Sequence, residues 1–573
     1  MPLKQLQNII SGLDNQPIQK YGSITGRYTD GDIVYYLRNV YGGAVKKCSV
    51  EIEIPKHRLY DDIYKMSDII AISSHILRVF YVHVRIKNNE MQQSESNKQK
   101  GYFYTYHFGQ RVLPNTIVLI EDETIRIKLE IKLPINATAL DGKLLTMNAK
   151  VASNQLKKRR KDVISSKSLM ILLMKRLPEL MESFIESFSE DELISSVTLH
   201  RNQNYIRRYM TERGYVAFIG NGAVLPRKGM TDYKNPRGAK AFKSPPSMEI
   251  KIMLPDGGCV PGMGIKEGIT VILGDAYQGK STLLSAIYEG IYNHISGDGR
   301  EYVLTSICAL KIRAESGRYI QNTDISFYLK NIPQSICNAK HFTTISASGS
   351  TAQAAAISEA VESGCKLMLF DEDYCANNFM YKEKRIREIF GTSTTAPLID
   401  NAYSLFIQYG ISMIIAVGAS AQYLDIANRA LLLREYQVHE FNDYEKVEDR
   451  VDRMNIHHRV ADWTGLRKAE VINSISSTGE QTLRLGAELI DIGEIIGNVN
   501  GGQMNFIVNM LKHLVMYESI GGKTIPATLD DCYENIERNM GIPTFLVTSD
   551  YLEYVRKYDI MQILYRCRYM QFK

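Results

Sequence analysis

Gly274-Asp275-Ala276-Tyr277-Gln278-Gly279-Lys280-Ser281-Thr282 decides the reading of this chain. It satisfies G-x-x-x-x-G-K-[ST], a loop whose successive backbone amides face a polyphosphate. Its flanks fit that role. Ile269-Thr270-Val271-Ile272-Leu273 is an unbroken apolar run that reads as a buried strand, and Leu283-Leu284-Ser285-Ala286-Ile287-Tyr288 opens a helix whose N-terminus adds a positive dipole end. Lys280 is placed to reach the β- and γ-phosphates, the Ser281 hydroxyl to ligate Mg²⁺, and Thr282 to support it. A glycine-rich turn with an exposed lysine is the alternative, and it leaves the ordered strand, hydroxyl and helix unexplained.

A second motif is Lys366-Leu367-Met368-Leu369-Phe370-Asp371-Glu372, an apolar strand ending in two carboxylates. Neighbours on a strand point to opposite faces, but where the chain leaves the sheet both can line one ligand. Asp371 then holds Mg²⁺ through water, and Glu372 polarises the attacking water as general base. Between the motifs, Ser346-Ala347-Ser348-Gly349-Ser350-Thr351-Ala352-Gln353 is a small polar loop entering a helix. Ser348 or Ser350 reads as its N-cap, with Gln353 near the capping-box position. The loop is also a second anion site, and two copies of the chain facing each other would use it. Upstream, Phe242 and Tyr233 are candidates to stack on a nucleotide base, or are simply packed aromatics.

The 573 residues exceed one ordinary domain, and 45% hydrophobic with 23% charged residues is globular composition. Net charge is +6, so a nucleic-acid surface must be a local patch. The densest is Lys157-Lys158-Arg159-Arg160-Lys161, followed by Arg227 and Lys228, with Arg237, Lys240 and Lys243 beyond. The first run is either a solvated helix end or a phosphate-binding patch. Eight scattered cysteines without a C-x-x-C pair point to reduced thiols in a cytosol-like compartment and away from zinc. His457-His458 lack the partners a metal site needs. No run of eighteen apolar residues and no signal-peptide core occur, so we expect a soluble intracellular protein, cytoplasmic or in an organelle matrix, with no membrane role of its own.

Alternating runs such as 48–54 and 124–133 predict half-buried strands, Asn88 to Lys100 an exposed loop, and 154–210 helices. Strands are expected again at 215–219, 249–254 and 412–417, and helices over 486–507 and 510–536. We divide the chain into an N-terminal α+β domain (1–210), a candidate nucleic-acid-binding region; an α/β P-loop core (211–450); and a C-terminal, mainly helical region (451–573).

The order of phosphate loop, Ser-Gly loop with helix, and Asp-Glu strand resembles the ATP-binding-cassette (ABC) class. Gly262-Met263-Gly264-Ile265, the stretch from Gly290 to Glu301, Ala347 to Ala355, Asp371-Glu372-Asp373 and Asn378-Phe379-Met380 resemble more narrowly the family called predicted ATPase of the ABC class. The likeness runs from Val216 through Leu225-Pro226-Arg227 to Ile563 to Arg568. It implies an ABC-type ATPase core that binds Mg²⁺ and ATP in a nucleotide-sandwich homodimer. Lys280 and Ser281 of one subunit and the signature residues Ser348, Gly349 and Ser350 of the other would clamp the same ATP. It also implies a nucleic-acid partner, RNA first, clamped as ATP binds and is hydrolysed. A scaffold that hydrolyses ATP little or not at all is the alternative; a transporter motor fits the long extensions poorly. Two departures stand out: Asp275 and Gln278 replace the family's Gly and His, and Gly418-Ala419-Ser420-Ala421-Gln422 stands where a switch histidine is expected. Hydrolysis would then be slow, or use Ser420 or Gln422. Arg313 to Arg318 and Gln321 are the choices for the Gln-loop metal ligand, and we take Glu315.

Overall fold

The structure is a computed structural model that describes the chain except at residues 43–44, 62–63, 94–100, 140–159, 229–235, 237, 333–336, 392, 447–450, 453, 519–521 and 547–549. It forms two compact units, Met1–Phe108 with Pro114–Val197, and Gly109–Leu113 with Thr198–Lys573.

The first unit is built on an antiparallel sheet of β1 (Gly26–Asp30), β2 (Ile33–Tyr41), β3 (Lys47–Pro55), β4 (Tyr102–Phe103), β5 (Val118–Ile120) and β6 (Thr124–Lys132), in the order β1-β2-β3-β6-β4 with β5 also on β6. The two alternating runs are neighbours, paired from Cys48 against Ile131 to Ile54 against Ile125. Their apolar set, Val50, Ile52, Ile54, Ile125, Ile127 and Leu129, is buried, as a period of two requires when one face is covered. Helix α1 (Ile69–Gln93) packs against β5 and α2 (Leu177–Glu186). It takes in Asn88 to Gln93, which the sequence reading placed in a loop, because Ile72, Ile76, Phe80 and Val84 recur at helical spacing and carry the helix past Lys87. Residues 94–100 lie outside the described ones. By length and composition, Met66–Gln93 could cross a membrane; half of its most apolar stretch is buried, as in a core helix.

Lys157, Lys158 and Arg159 also lie outside the described residues. Arg160 and Lys161 open strand β8 (Arg160–Ile164), paired with β7 (Ile135–Ala139), and the helical segment starts only at Ser166. The basic run therefore leads into a strand rather than a helix: Val163 and Ile164 are buried in register with Asn136 and Ile135.

The second unit has an antiparallel sheet, β10-β11-β9-β13, from β9 (Tyr215–Gly220), β10 (Glu249–Met253), β11 (Cys259–Lys266) and β13 (Val303–Thr305). Beside it lies the core sheet, in the order β14-β15-β16-β12-β17-β18: β12 (Ile269–Leu273), β14 (Ala309–Ile312), β15 (Leu367–Asp371), β16 (Ser412–Val417), β17 (Arg429–Arg434) and β18 (Gln437–Glu440). The sheet is parallel up to β17, which turns back into β18. Apolar cores cover both faces. Ile272, Leu369 and Ala416 meet Leu283 and Ile287 of α3 (Lys280–Glu289), while Val271, Phe370 and Ile415 meet Ile357 of α4 (Gly349–Glu362). That double cover is why these strands read as continuous apolar runs.

Residues 451–573 carry helices α5 (Gly501–His513), α6 (Ile525–Arg538) and α7 (Lys557–Tyr565) around their own apolar core. The helix expected over 486–507 is interrupted. Thr482–Leu485 and Glu488–Asp491 pair as a hairpin turning at Gly486 (φ +60°), and a short helix, Ile492–Ile496, stops at Gly497 before α5 begins. Alternation in Thr482-Leu483-Arg484-Leu485 is the signal for the strand, with Leu483 and Leu485 buried.

Candidate functional site

In the core sheet Leu273 pairs with Val417 and Asp371 with Ala416, so three strands end together. The phosphate loop, the Asp371-Glu372 step and the Gly418-Ala419 loop therefore emerge side by side at the carboxyl edge, where open α/β sheets place their ligands.

The phosphate loop folds as its glycines demand only in part. Gly279 sits at φ +98°, but Tyr277 also takes a left-handed conformation, φ +61°, with its ring 93% exposed. A tyrosine there costs on the order of 1–3 kcal/mol that glycine would not. Asp275 turns its carboxylate onto its own loop, accepting from the Ala276 N–H at 2.7 Å. Lys280 Nζ folds back to donate to the Gly274 and Asp275 carbonyls at 2.6 and 2.9 Å. Gln278 reaches the turn between β17 and β18, its Oε1 accepting from the Glu435 N–H at 2.6 Å.

Glu372 is buried and held on one side only. Its Oε2 accepts from the Gly418 and Ala419 N–H groups at 2.6 and 3.0 Å, and its Oε1 has no partner among the described residues. A buried carboxylate oxygen without a protein donor is uncommon, and water or a ligand ordinarily satisfies it. Asp371 keeps Oδ1 toward the Asp373 N–H at 3.4 Å and lines the same cavity as Ser281, a space of about 540 Å³. This hydroxyl and carboxylate, beside a glutamate with a free oxygen, are hard oxygen donors of the kind Mg²⁺ takes.

Glu315 does not join them. Both its oxygens are bound by the Arg566 guanidinium, at 2.5 and 2.7 Å, in a different cavity. Burial works to raise its carboxyl, but the Arg566 charge overrides this and holds it at about 2. The ligand role proposed for Glu315 is thus corrected: its acceptors are already filled. Arg227 is corrected likewise. Its guanidinium donates to Asp298 Oδ1 at 2.8 Å and to the Val224, Pro226 and Asp298 carbonyls, so it is structural rather than free for nucleic acid. Lys228 is exposed. Tyr233 and Arg237 lie outside the described residues.

Phe242 is 7% exposed in the core, yet it edges a second cavity of about 360 Å³ with Gln278, Gly279, Thr282, Lys240 and Tyr436. Tyr436 escapes sequence reasoning. It and Glu435 form a two-residue hairpin turn with both φ positive, +49° and +64°, a geometry that normally selects Asn and Gly and so leaves no turn signal here. Lys240 Nζ lies over the Tyr436 ring and donates to the Glu435 carbonyl at 3.0 Å.

Ser348 caps α4, its Oγ accepting from the Thr351 N–H at 3.4 Å. A side chain on Gly349 would press on Ser316 Oγ at 3.1 Å. Gln353 is no capping-box residue: it is buried and its Oε1 accepts from the Ala376 N–H at 2.9 Å, tying α4 to the segment after Glu372. At its far end, α4 carries buried Glu359 and Glu362. Arg318 pairs with Glu359 at 2.7 Å and Arg459 with Glu362 at 2.8 Å. The Arg459 guanidinium also stacks on Phe572, 4.3 Å from the ring centroid. Among the described residues no cluster of three His, Cys, Asp or Glu forms a metal site.

Two family models match the chain: the P-loop domain of the ABC-class ATPases over residues 189–464, and the N-terminal domain of the same class, "ATPase of the ABC class N-terminal", over residues 3–186. An uncharacterized protein of Methanocaldococcus jannaschii is 31% identical over 272 residues, 44% of this chain and 60% of that protein, so the match spans less than two thirds of the relative's length. Among solved structures, an inward-facing metal-chelate type ABC transporter overlays 40% of this chain and 83% of its own at 16% identity and a TM-score of 0.25. A part of the ABC transporter complex cbiONQ of Clostridium perfringens overlays 39% and 87% at 16% identity and 0.24. The family models, rather than these partial overlays, assign the chain.

Proposed function

Because the chain belongs to the ATPases of the ABC class, with an N-terminal domain and a P-loop domain, we propose that it hydrolyses ATP between two copies of itself and uses that cycle to clamp a nucleic-acid partner. The observation that carries the hydrolytic reading is Glu372, fixed on one oxygen by two amides and free on the other.

Residues 211–450 would act as the motor, 1–210 as the partner-binding region and 451–573 as a brace on the core. ATP binding frees Lys280 from the Gly274 and Asp275 carbonyls and turns its ammonium to the phosphates, where it meets full negative charge instead of carbonyl dipoles. Gly274 to Thr282 offer their amides to the phosphate chain. Phe242 and Tyr436 line the cavity that would take the base. Ser281 and Asp371 fit Mg²⁺, which when bound would neutralise charge on the phosphates. Glu372 Oε1 accepts a proton from the attacking water, and the Gly418 and Ala419 amides keep the carboxylate aimed. Ser348, Gly349 and Ser350 of the partner copy would close over the γ-phosphate.

Light scattering tests the sandwich. The Glu372→Gln protein should become dimeric with Mg²⁺ and ATP, and adding Ser348→Arg should return it to the monomer. A mass that nucleotide leaves unchanged in Glu372→Gln, and that Ser348→Arg does not alter, would remove the sandwich from the mechanism.

The nucleic-acid reading rests on Lys157 to Lys161 and on the family resemblance, with Lys228 in support. Each phosphate neutralised on a single strand steepens log affinity against log salt by about 0.7. Replacing Lys157, Lys158 and Arg159 by Gln should flatten that slope by about two units in filter binding of a mixed-sequence RNA. Absence of salt-dependent binding in the parent protein, with and without ATP, would leave an ATPase whose partner is something else.

A further inference from the structure

The cavity at Ser281 and Asp371 runs on along α3 past Ser285 and Tyr288 to Gly493, Glu494 and Gly497 of the C-terminal region. Its walls carry many cations, most of them matched. Arg111 is bound by both oxygens of Glu289 at 2.9–3.0 Å, Arg227 by Asp298 at 2.8 Å and Arg313 by Glu494 at 2.7 Å. Two are not. Arg300 is 6% exposed; among the described residues it has no carboxylate within ion-pair distance, one Nη donates to the Leu225 carbonyl and its Nε has no partner. Among the described residues Lys311 makes no ion pair or hydrogen bond, and its ammonium rests 4.8 Å from the centre of the Tyr288 ring.

Glu289 and Asp298 act on Arg300, and Glu289, Asp371 and Glu494 on Lys311, but neither cation has a direct ion pair among the described residues, a cost that an anion in the cavity would relieve. Burial, helped by Arg227, pulls the Arg300 guanidinium down to about 10; burial, helped by Arg313, lowers Lys311. Of the four wall carboxylates, Glu289 and Glu494 are held by Arg111 and Arg313, Asp491 accepts from the Glu494 N–H, and Asp371 belongs to the Ser281 end. A phosphate group is such an anion. It carries close to two charges and accepts hydrogen bonds on several oxygens, which suits a guanidinium and an ammonium on one cavity.

We propose that this cavity, besides its Ser281 and Asp371 end, offers a second phosphate site in which Arg300 and Lys311 hold a phosphate dianion. The whole cavity, its Ser281 and Asp371 end included, is about 540 Å³, so both orthophosphate and a small phosphate monoester are candidates. The site does not depend on hydrolysis at Glu372.

The test uses the full chain carrying Lys280→Ala, which disables the phosphate loop, titrated by calorimetry with orthophosphate and separately with glycerol phosphate. At least one anion should still bind, and adding Lys311→Met should weaken it tenfold or more, with Arg300→Gln as a second variant and circular dichroism to verify folding. Tighter orthophosphate would mark the cavity as a way out for the hydrolysis product, and tighter glycerol phosphate as a site for a phosphorylated effector; both outcomes support it. If neither anion binds the Lys280→Ala protein, or if folded Lys311→Met and Arg300→Gln bind as well as their parent, the cavity offers no second phosphate site. Failure of the ATPase reading would show separately, as no ATP hydrolysis by the wild-type chain.

Discussion

Glu372→Gln should lower the rate of ATP hydrolysis by about 100- to 10,000-fold and leave ATP binding intact, the span expected for removal of a positioned general base. Gln can keep its carbonyl oxygen toward the Gly418 and Ala419 amides, so the loop after β16 stays anchored. What is lost is only the basicity of the second oxygen. Single-turnover hydrolysis and titration with a fluorescent ATP analogue, run on both proteins, separate the two effects. A rate within tenfold of wild type would transfer the base to another group, with Ser420 and Gln422 next in line. Ser420 Oγ already accepts from the Gln422 N–H at 3.2 Å, which makes it the weaker candidate.

Arg459→Met should destabilise the second unit by about 3–5 kcal/mol, read as a lowered denaturation midpoint, because it strands buried carboxylates. Arg459 is 5% exposed; it holds Glu362 through three hydrogen bonds and donates to the Gln321 carbonyl and the Thr323 hydroxyl. Burial pushes the Glu362 carboxyl up even with Arg459 present, so without its partner the group would take a proton. Adding Glu362→Leu should recover much of the loss, since two apolar groups of similar size tolerate burial better than one charge. A single variant as stable as wild type would mean that water reaches this pair.

The parts of the fold that sequence makes legible are those whose chemistry is local. A phosphate loop needs its strand, turn, lysine and helix in one continuous stretch, and 269–288 supplies them; β3 and β6 alternate because one face of an antiparallel sheet is covered. What stayed hidden depends on distant partners. Glu315 looks like a free carboxylate until Arg566, 251 residues away, takes both its oxygens. Arg227 looks like part of a basic patch until Asp298 takes it. Tyr436 gives no turn signal, since the backbone there adopts a shape its residues do not favour. The last turns of α1 read as polar loop because Asn88 to Gln93 carry little apolar pattern of their own.

The arginines that reach α4 and its neighbouring loop from beyond residue 450 have a bearing on how this protein can be cut and recombined. Glu362 at the far end of α4 is matched by Arg459, Glu315 by Arg566, and the last strand, Gln571–Phe572, closes over the Arg459 guanidinium. A fragment ending near residue 450 would carry every motif of the P-loop core and keep the Arg318–Glu359 pair, yet lack Arg459, the counter-charge of Glu362 on α4, and Arg566, that of Glu315. The P-loop core is therefore not an interchangeable cassette: grafting it into a fusion, or trimming the final few residues for a tag, alters α4, the helix that Ser348 caps.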